Sequence, residues 1–259
     1  MKLVVTEKND AAQKIADLLG VKKPKADKVY STPVYRFDVD GEEWVTIGLR
    51  GHILEPDFTP TMVYKKRGGW QGVTEEGEAF PAELPATLPK PPFKKKKPFT
   101  EDGVELKTWK MDALPYLVYA PIKKLPKEKE IIRSLKNLAK KADSIVIATD
   151  FDREGELIGS DALSCIQEVN PDAPVQRARY SAFTKEEITH AFDNLVELDV
   201  NLASAGASRQ DIDLIWGAVL TRYLTLVKFA GYGNVRSSGR VQTPTLAMIV
   251  DRDRQIAGH

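Results

Sequence analysis

Four carboxylates fall within seven residues of ATDFDREGELIG (148–159): Asp150, Asp152, Glu154 and Glu156. Asp150 and Asp152 alternate, so their oxygens can be brought together where an extended strand ends. Such a pair suits a hard divalent cation. Magnesium takes oxygen ligands, keeps waters, and often uses only one or two protein carboxylates. Another carboxylate, Glu7, follows the apolar run KLVVT at residues 2–6. If the two runs are neighbouring strands, Glu7 reaches the same crevice. The residues alone also allow a plainer reading, a solvated acidic turn paired with Arg153.

The elements that must position this cluster are readable around it. SIVIA (144–148) is a short apolar run of the kind that forms a buried strand. GELIGSDALSCI, with Leu157, Ile158, Ala162, Leu163 and Ile166, has helical recurrence. The cluster therefore lies at a strand-to-helix junction, and sites in open α/β sheets gather at the carboxyl ends of strands. KLVVT repeats the pattern: a strand, then a helix with Ala11, Ile15, Leu18 and Leu19 on one face and Gly20 as its stop. Residues 33–48 carry Asp40-Gly41 between two β-rich runs, a strong hairpin signal. Residues 126–143 predict a helix with Ile131, Leu135 and Leu138 on its apolar face. VQRARYSAF (175–183) predicts a strand, and Thr184 with Glu187 has the spacing of a capping box. Helices are expected over about 204–228 and from Val241 to the end. Residues 56–100, rich in Pro and Gly and containing KPPFKKKKPF, are expected to be a long loop region or a meandering insertion rather than core, and 108–120 to hold a strand. The pattern gives an α/β class with a mostly parallel sheet and helices on its faces.

Composition bounds the function classes. A chain of 259 residues with 42% hydrophobic and 29% charged residues has enough apolar material for one large domain or two modest ones. The net charge of +1 neither demands nor excludes a nucleic-acid partner, because distribution matters more than the total. The lone cysteine, Cys165, rules out an intrachain disulfide and a cysteine-rich zinc module, and its apolar helical setting reads as buried and inert. The N-terminal apolar run is too short for a signal peptide, and no stretch is long enough to span a membrane. The expected location is cytoplasmic, with no membrane partner.

The acidic segment DFDREGE resembles the Asp-x-Asp-x-Glu signature of the Toprim fold, and Glu7 in VVTEK resembles that fold's glutamate after its first strand. Further blocks narrow the resemblance to type IA DNA topoisomerases of the topoisomerase III-like, archaeal kind. They are EKNDAAQKIADLLG, GHILEP (51–56), RYSAFTKEEITHAF (179–192), ASRQDIDLIWGAVLTRYLT and SSGRVQTPTLAMIVDRD (237–253). Together, in this order, they cover most of the chain. The resemblance implies a Rossmann-like Toprim domain with a parallel sheet over 1–174, carrying a loop-rich insertion at about 56–110. The start of a mostly helical, strand-binding domain would follow over 175–259. It implies an enzyme that cuts one DNA strand, passes another and reseals, using Mg2+ and no ATP; no Walker motif is present. Glu7, Asp150, Asp152 and Glu154 would hold the metal. Glu7, Lys8 and Arg153 would act on the phosphate, Glu7 by protonating the leaving 3′ oxygen. His52, Arg179, Arg209, Arg222, Arg236, Arg240 and Gln242 would line a groove for single-stranded DNA.

The family's nucleophilic tyrosine lies in a later segment, and none of the eight tyrosines here stands in that context. The expected reading is the N-terminal portion of a longer or split enzyme, whose tyrosine-bearing domains join it in cis or as a second subunit. Alternatives stay open: a stand-alone Toprim nuclease, a regulatory DNA-binding module, or a non-catalytic single-strand binder. Single residues have plainer readings too. Glu7 could cap the following helix, His52 could be structural, Glu156 a solvated residue early in its helix, and Lys94–Lys97 a solvated loop rather than a DNA contact. Lys14 is a weaker candidate than Lys8.

Overall fold

The computed structural model describes residues 1–65, 69–74, 77–81, 88, 96–228 and 234–258. Lys94, Lys95 and Tyr232 lie outside the described residues. In chain order come β1 (Lys2–Thr6), α1 (Asn9–Leu19), β2 (Lys25–Val29), β3 (Thr32–Val39), β4 (Glu42–Gly48) and β5 (Leu54–Phe58). The strands β6 (Thr61–Lys65), β7 (Gly69–Val73), β8 (Ala79–Pro81) and β9 (Gly103–Glu105) follow. Next are α2 (Leu114–Leu117), β10 (Ile122–Pro126), α3 (Lys129–Ala139), β11 (Ser144–Ile147) and α4 (Arg153–Gln167). The chain continues through β12 (Val175–Arg177), α5 (Lys185–Asp193), α6 (Val200–Val227) and α7 (Gln242–Ala257). It divides into two compact units: Met1–Glu55 with Leu125–Ser208, and Pro56–Lys124 with Arg209–His259. This division is discontinuous in sequence. The strands β5 and β10 pair with each other where the chain leaves and re-enters the first unit.

The first unit is built on a six-stranded sheet in the order β12-β11-β1-β4-β3-β2. The four strands β12, β11, β1 and β4 are parallel. Side chains alternate across a strand. Leu3 and Val5 of β1 therefore enter one core with Ile131, Leu135, Leu138, Ile158 and Ile166 of α3 and α4. Val4 enters the other with Ile15 of α1 and Ile188 and Phe192 of α5. A parallel strand covered on both faces reads as a continuous apolar run, which is why KLVVT and SIVI were recognisable. Cys165 is buried in the first of these cores, and burial pushes its thiol above the ordinary value.

The sheet is mixed rather than wholly parallel. Asp40 and Gly41 both take left-handed backbone angles, φ 52° and 85°, and turn β3 back antiparallel onto β4. Those are the angles a two-residue hairpin turn requires. The edge strand β2 then pairs antiparallel with β3. The strand expected over 108–120 is corrected to a 3-10 turn, Met111–Ala113, running into α2. Pro115 sits in the first turn of α2, where a missing N–H costs nothing, while Leu114, Tyr116 and Leu117 are buried.

The second unit holds a four-stranded antiparallel sheet, β8-β7-β6-β9, where a long loop region or a meandering insertion was expected. Its core is aromatic: the Trp70 ring lies 5.7 Å from Tyr64 and 5.4 Å from Tyr116. The sequence there is rich in turn residues because the strands are short. The last helix, α7, has no buried residue among those described. Among the described residues no helix is long and apolar enough to cross a membrane.

Candidate metal and nucleic-acid site

The adjacent parallel strands β1 and β11 deliver the carboxylates. Val5 is in register with Ile147, so the chains that continue past them carry Glu7 and Asp150 to the same end of the sheet. The turn after β1 is tied down by buried Thr6, whose hydroxyl donates to the Lys8 and Ile47 carbonyls at 2.9 and 3.2 Å. Gly48 of β4 lets this turn approach: a Cβ there would lie 2.5 Å from the Asn9 nitrogen. The turn after β11 is tied by Thr149, whose hydroxyl donates to the Gly155 carbonyl at 2.7 Å. Gly155 is the second close approach, since a Cβ there would lie 2.0 Å from the Asp150 carbonyl oxygen. The Asp152 carboxylate caps α4 by accepting from the Gly155 N–H at 2.7 Å.

Glu7 does not cap α1; the capping position is Lys8, which makes no side-chain cap. Instead the Lys8 ammonium lies 3.2 Å from the largely buried Glu7 carboxylate. The hydrogen bond to Glu7, then the charges of Glu7, Asp150 and Asp152, hold the Lys8 ammonium above its ordinary value. Three of the predicted carboxylates therefore act on one cation. His52 is brought to the same place: its Nε2 stands 3.1 Å from the Glu154 carboxylate. Arg153 is exposed at the start of α4. The Arg179 guanidinium lies 4.9 Å over the half-exposed Phe151 ring, and its Nε is buried and without a partner among the described residues. Lys14 stands apart from the acidic residues, over the Phe183 ring at 5.1 Å.

Two residues were misread or missed. Glu156 is fully buried, not solvated, and its partner Arg177 is fully buried as well. Arg177 Nε donates to Glu156 at 2.8 Å, Nη1 to the Ala178 and Ile147 carbonyls at 2.5 and 3.3 Å, and Nη2 to the Asp150 carbonyl at 2.9 Å. The second Glu156 oxygen accepts from the Asp199 N–H at 2.7 Å. Two charges taken out of water cost several kcal/mol each unless such bonds replace the lost hydration. Arg177 therefore fixes the acidic turn through its backbone. The one hint in the sequence was a charged residue inside the short strand VQR; its partner shows only in the fold, where Arg177 stands in register with Ile147.

Tyr180 packs behind the crevice. Its hydroxyl donates to the Ala148 carbonyl at 2.7 Å. Burial, then the charges of Asp150 and Glu7, push it far above the ordinary phenol value, against the opposing charge of Arg177.

The remaining predicted arginines belong to the second unit. Arg240 makes a bidentate pair with Asp213 of α6, at 2.6 and 3.0 Å. That bond, and the charges of Arg240 and Arg209, hold the Asp213 carboxyl below its ordinary value. Gln242, at the start of α7, accepts from the Ser237 hydroxyl at 2.7 Å. Arg236 is exposed, and its backbone N–H is held by Thr225. Arg222 is committed elsewhere: it donates to the Leu106 carbonyl at 2.6 Å and lies over Trp109, and burial pulls its guanidinium below the ordinary value.

The donor chemistry of Glu7, Asp150 and Asp152 fits a hard divalent cation. Their fields converge on Lys8, yet no three such side chains close into a ligand set among the described residues. The reasons are visible. One Asp152 oxygen serves the helix cap, Glu154 faces His52, and Lys8 stands at Glu7.

The sequence matches the Toprim domain family over residues 2–183 and the DNA topoisomerase family over residues 197–259. It is 39% identical over 258 residues to DNA topoisomerase 1 of Archaeoglobus fulgidus, covering 98% of this chain and 31% of that protein. For DNA topoisomerase 1 of Thermoplasma acidophilum the identity is 35% over 255 residues, covering 98% and 27%. For human DNA topoisomerase 3-alpha it is 30% over 265 residues, covering 98% and 22%. The solved structure of full-length topoisomerase I from Thermotoga maritima superposes with a TM-score of 0.53 at 22% identity, covering 98% of this chain and 30% of that one, and so shows a shared fold. The chain spans about a third or less of the length of these relatives. It belongs to the type IA DNA topoisomerases and carries their Toprim domain.

Proposed function

We propose that this chain is the metal-binding and strand-holding part of a type IA topoisomerase that cuts, passes and reseals one DNA strand. The observation that carries this reading is the crevice past the ends of the adjacent parallel strands β1 and β11, which brings Glu7 and the Asp150–Asp152 turn to one end of the sheet, with the Lys8 ammonium 3.2 Å from Glu7. Glu7, Asp150 and Asp152 would hold Mg2+, with Glu154 a weaker ligand because it faces His52. The metal, when bound, would neutralise phosphate charge. Waters and a strand phosphate would supply the ligands that these carboxylates do not, as magnesium sites at phosphates commonly require. Lys8 would stabilise charge on the scissile phosphate. Glu7 would deliver a proton to the 3′ oxygen as the phosphorus–oxygen bond breaks. Arg179, with its unpartnered Nε, and exposed Arg153 would take flanking phosphate oxygens, for which a guanidinium fork is suited. His52 would orient Glu154 or meet the strand beside it. In the second unit, Arg209, Arg236, Arg240 and Gln242 would hold the strand backbone, with Arg222 the weakest candidate because its fork is already engaged.

The nucleophile would come from a tyrosine-bearing segment in cis or from a second subunit. Tyr180 is unsuited, being buried and bound to a carbonyl with its proton held more tightly than an ordinary phenol. The test is incubation of the chain with negatively supercoiled plasmid and Mg2+, read on a denaturing gel for protein attached to a 5′ end. The expected result is neither relaxation nor adduct by the chain alone, and both once the tyrosine-bearing part of a close relative is added. Nicking without an adduct, abolished by Asp150→Asn, would instead favour a Toprim nuclease.

A further inference from the structure

A second concentration of charge lies in the first unit, on residues that share nothing with the acidic crevice. Helix α3 turns Ile131, Leu135 and Leu138 into the core. Its outer face carries Lys129, Arg133 and Lys136, and Lys140 follows just past its end. At about 100° per residue these four fall within an arc of roughly 60° and extend for about 16 Å along the axis. Among the described residues one of the four is ion-paired, Lys136 with Glu168 at 2.7 Å. They border a groove of about 450 Å³ floored by Ile132 and Val169. Its far wall is Tyr30, in the two-residue turn between β2 and β3.

Tyr30 is the unusual member. Its φ of 51° is left-handed, a conformation that favours Gly, Asn or Asp and strains a bulky side chain. The ring is nonetheless held at the surface, 48% exposed, with the Arg133 guanidinium 3.9 Å from its centroid. Such a stack fixes a long, flexible arginine and leaves the edge of its fork for a ligand. A strained aromatic that holds an arginine beside three lysines is more than a solvated face requires. In a protein whose whole net charge is +1, it is also a marked local excess.

We propose that this groove is a second binding surface for the DNA backbone, apart from the site at the acidic crevice. It rests on the reading of the chain as a DNA-handling protein. A stacked single strand carries a phosphate per about 3.4 Å of its axis, so a stripe of about 16 Å faces about four or five phosphates. That matches four cations in a row better than it matches one small anion.

The test is fluorescence anisotropy of a labelled oligo-dT 20-mer against the whole chain over a salt series. The variant is Lys129→Gln/Arg133→Gln/Lys140→Gln, on an exposed face where folding should survive. The slope of log K against log salt should fall by about 2, from about 0.7 per lost contact on a single strand. Tyr30→Ala, which leaves every charge in place, should weaken binding by about two- to fivefold, the loss expected for an exposed cation–π contact. If the triple variant folds poorly, Lys129→Gln/Lys140→Gln should still lower the slope by about 1.4. A wild-type slope in either charge variant, with binding intact, overturns the groove and leaves the proposed function standing. Failure of the wild-type chain to bind the oligonucleotide at all overturns both. Displacement of the oligonucleotide by millimolar inorganic phosphate or ATP at constant ionic strength would mark a small-anion pocket and overturn the DNA assignment.

Discussion

The two compact units each contain an arginine–carboxylate pair, and the two pairs do opposite things. Arg177 and Glu156 are fully buried, and they bond to backbone groups, the Asp150 carbonyl of the acidic turn among them, and to each other. Arg240 and Asp213 form a bidentate pair, but their side chains are 44% and 40% exposed. The first pair cannot exchange partners without leaving bare charge in the core. The second can, because water covers either member when they part. A buried pair therefore fixes the geometry of the carboxylates, whereas an exposed pair parks an arginine that a phosphate can claim. The same chemistry is framework in one unit and reserve in the other.

The largest expected effect breaks the buried pair. Arg177→Ala leaves Glu156 charged in the core and should cost about 3–5 kcal/mol, measured as a shift of the urea midpoint. Replacing both members with apolar residues of similar volume should recover most of the stability but not the Asp150 turn, whose carbonyl would lose its donor. A loss below about 1 kcal/mol for Arg177→Ala would mean that the pair is not as dry as it stands here. Next in size is Gly155→Ala. Its methyl would lie 2.0 Å from the Asp150 oxygen, so it should cost about 1–3 kcal/mol and displace the acidic turn. Unchanged stability would show that the turn yields freely.

Arg240→Ala sharpens the other side of the comparison. An exposed pair is worth about 0–1 kcal/mol, so stability should barely change. Single-stranded DNA affinity should fall, with the salt slope smaller by about 0.7. The smallest effect is in pH. The Asp213 carboxyl is held below its ordinary value, so its contribution to stability is present above about pH 4 and is lost as pH falls through the lower folded value. Urea midpoints of the native chain and Arg240→Ala should therefore converge on acidification below about pH 4 and stay apart by a constant small amount near neutrality. A difference that grows on acidification would reverse the sign and contradict the pair.

What was legible in the sequence was local. The runs KLVVT and SIVI, the Asp40-Gly41 turn and the Thr184 cap each carry their signal within a few residues, and each stands where it was expected. What was not legible depends on distant partners. Glu156 looks like any early helical glutamate until Arg177, 21 residues on, is folded against it. His52 meets Glu154 across 102 residues, and no local pattern announces that. In the second unit, turn-rich composition hid short strands whose Trp70 packs against Tyr116, a partner far along the chain. The predicted arginines were found by resemblance. Whether each fork is open or engaged, as at Arg240 and Arg222, is decided by neighbours that the sequence does not display.

The central claim is that Glu7, Asp150 and Asp152 make a divalent-cation site completed by a strand phosphate. It is tested most directly by Mn2+ titration followed by electron paramagnetic resonance, with and without a short single-stranded oligonucleotide, in the native chain and in Asp150→Asn/Asp152→Asn. The account predicts weak Mn2+ uptake by the native chain, at least tenfold tighter uptake with the oligonucleotide, and loss of that gain in the variant. Equal Mn2+ uptake by the native chain and the variant, with oligonucleotide present, would contradict it.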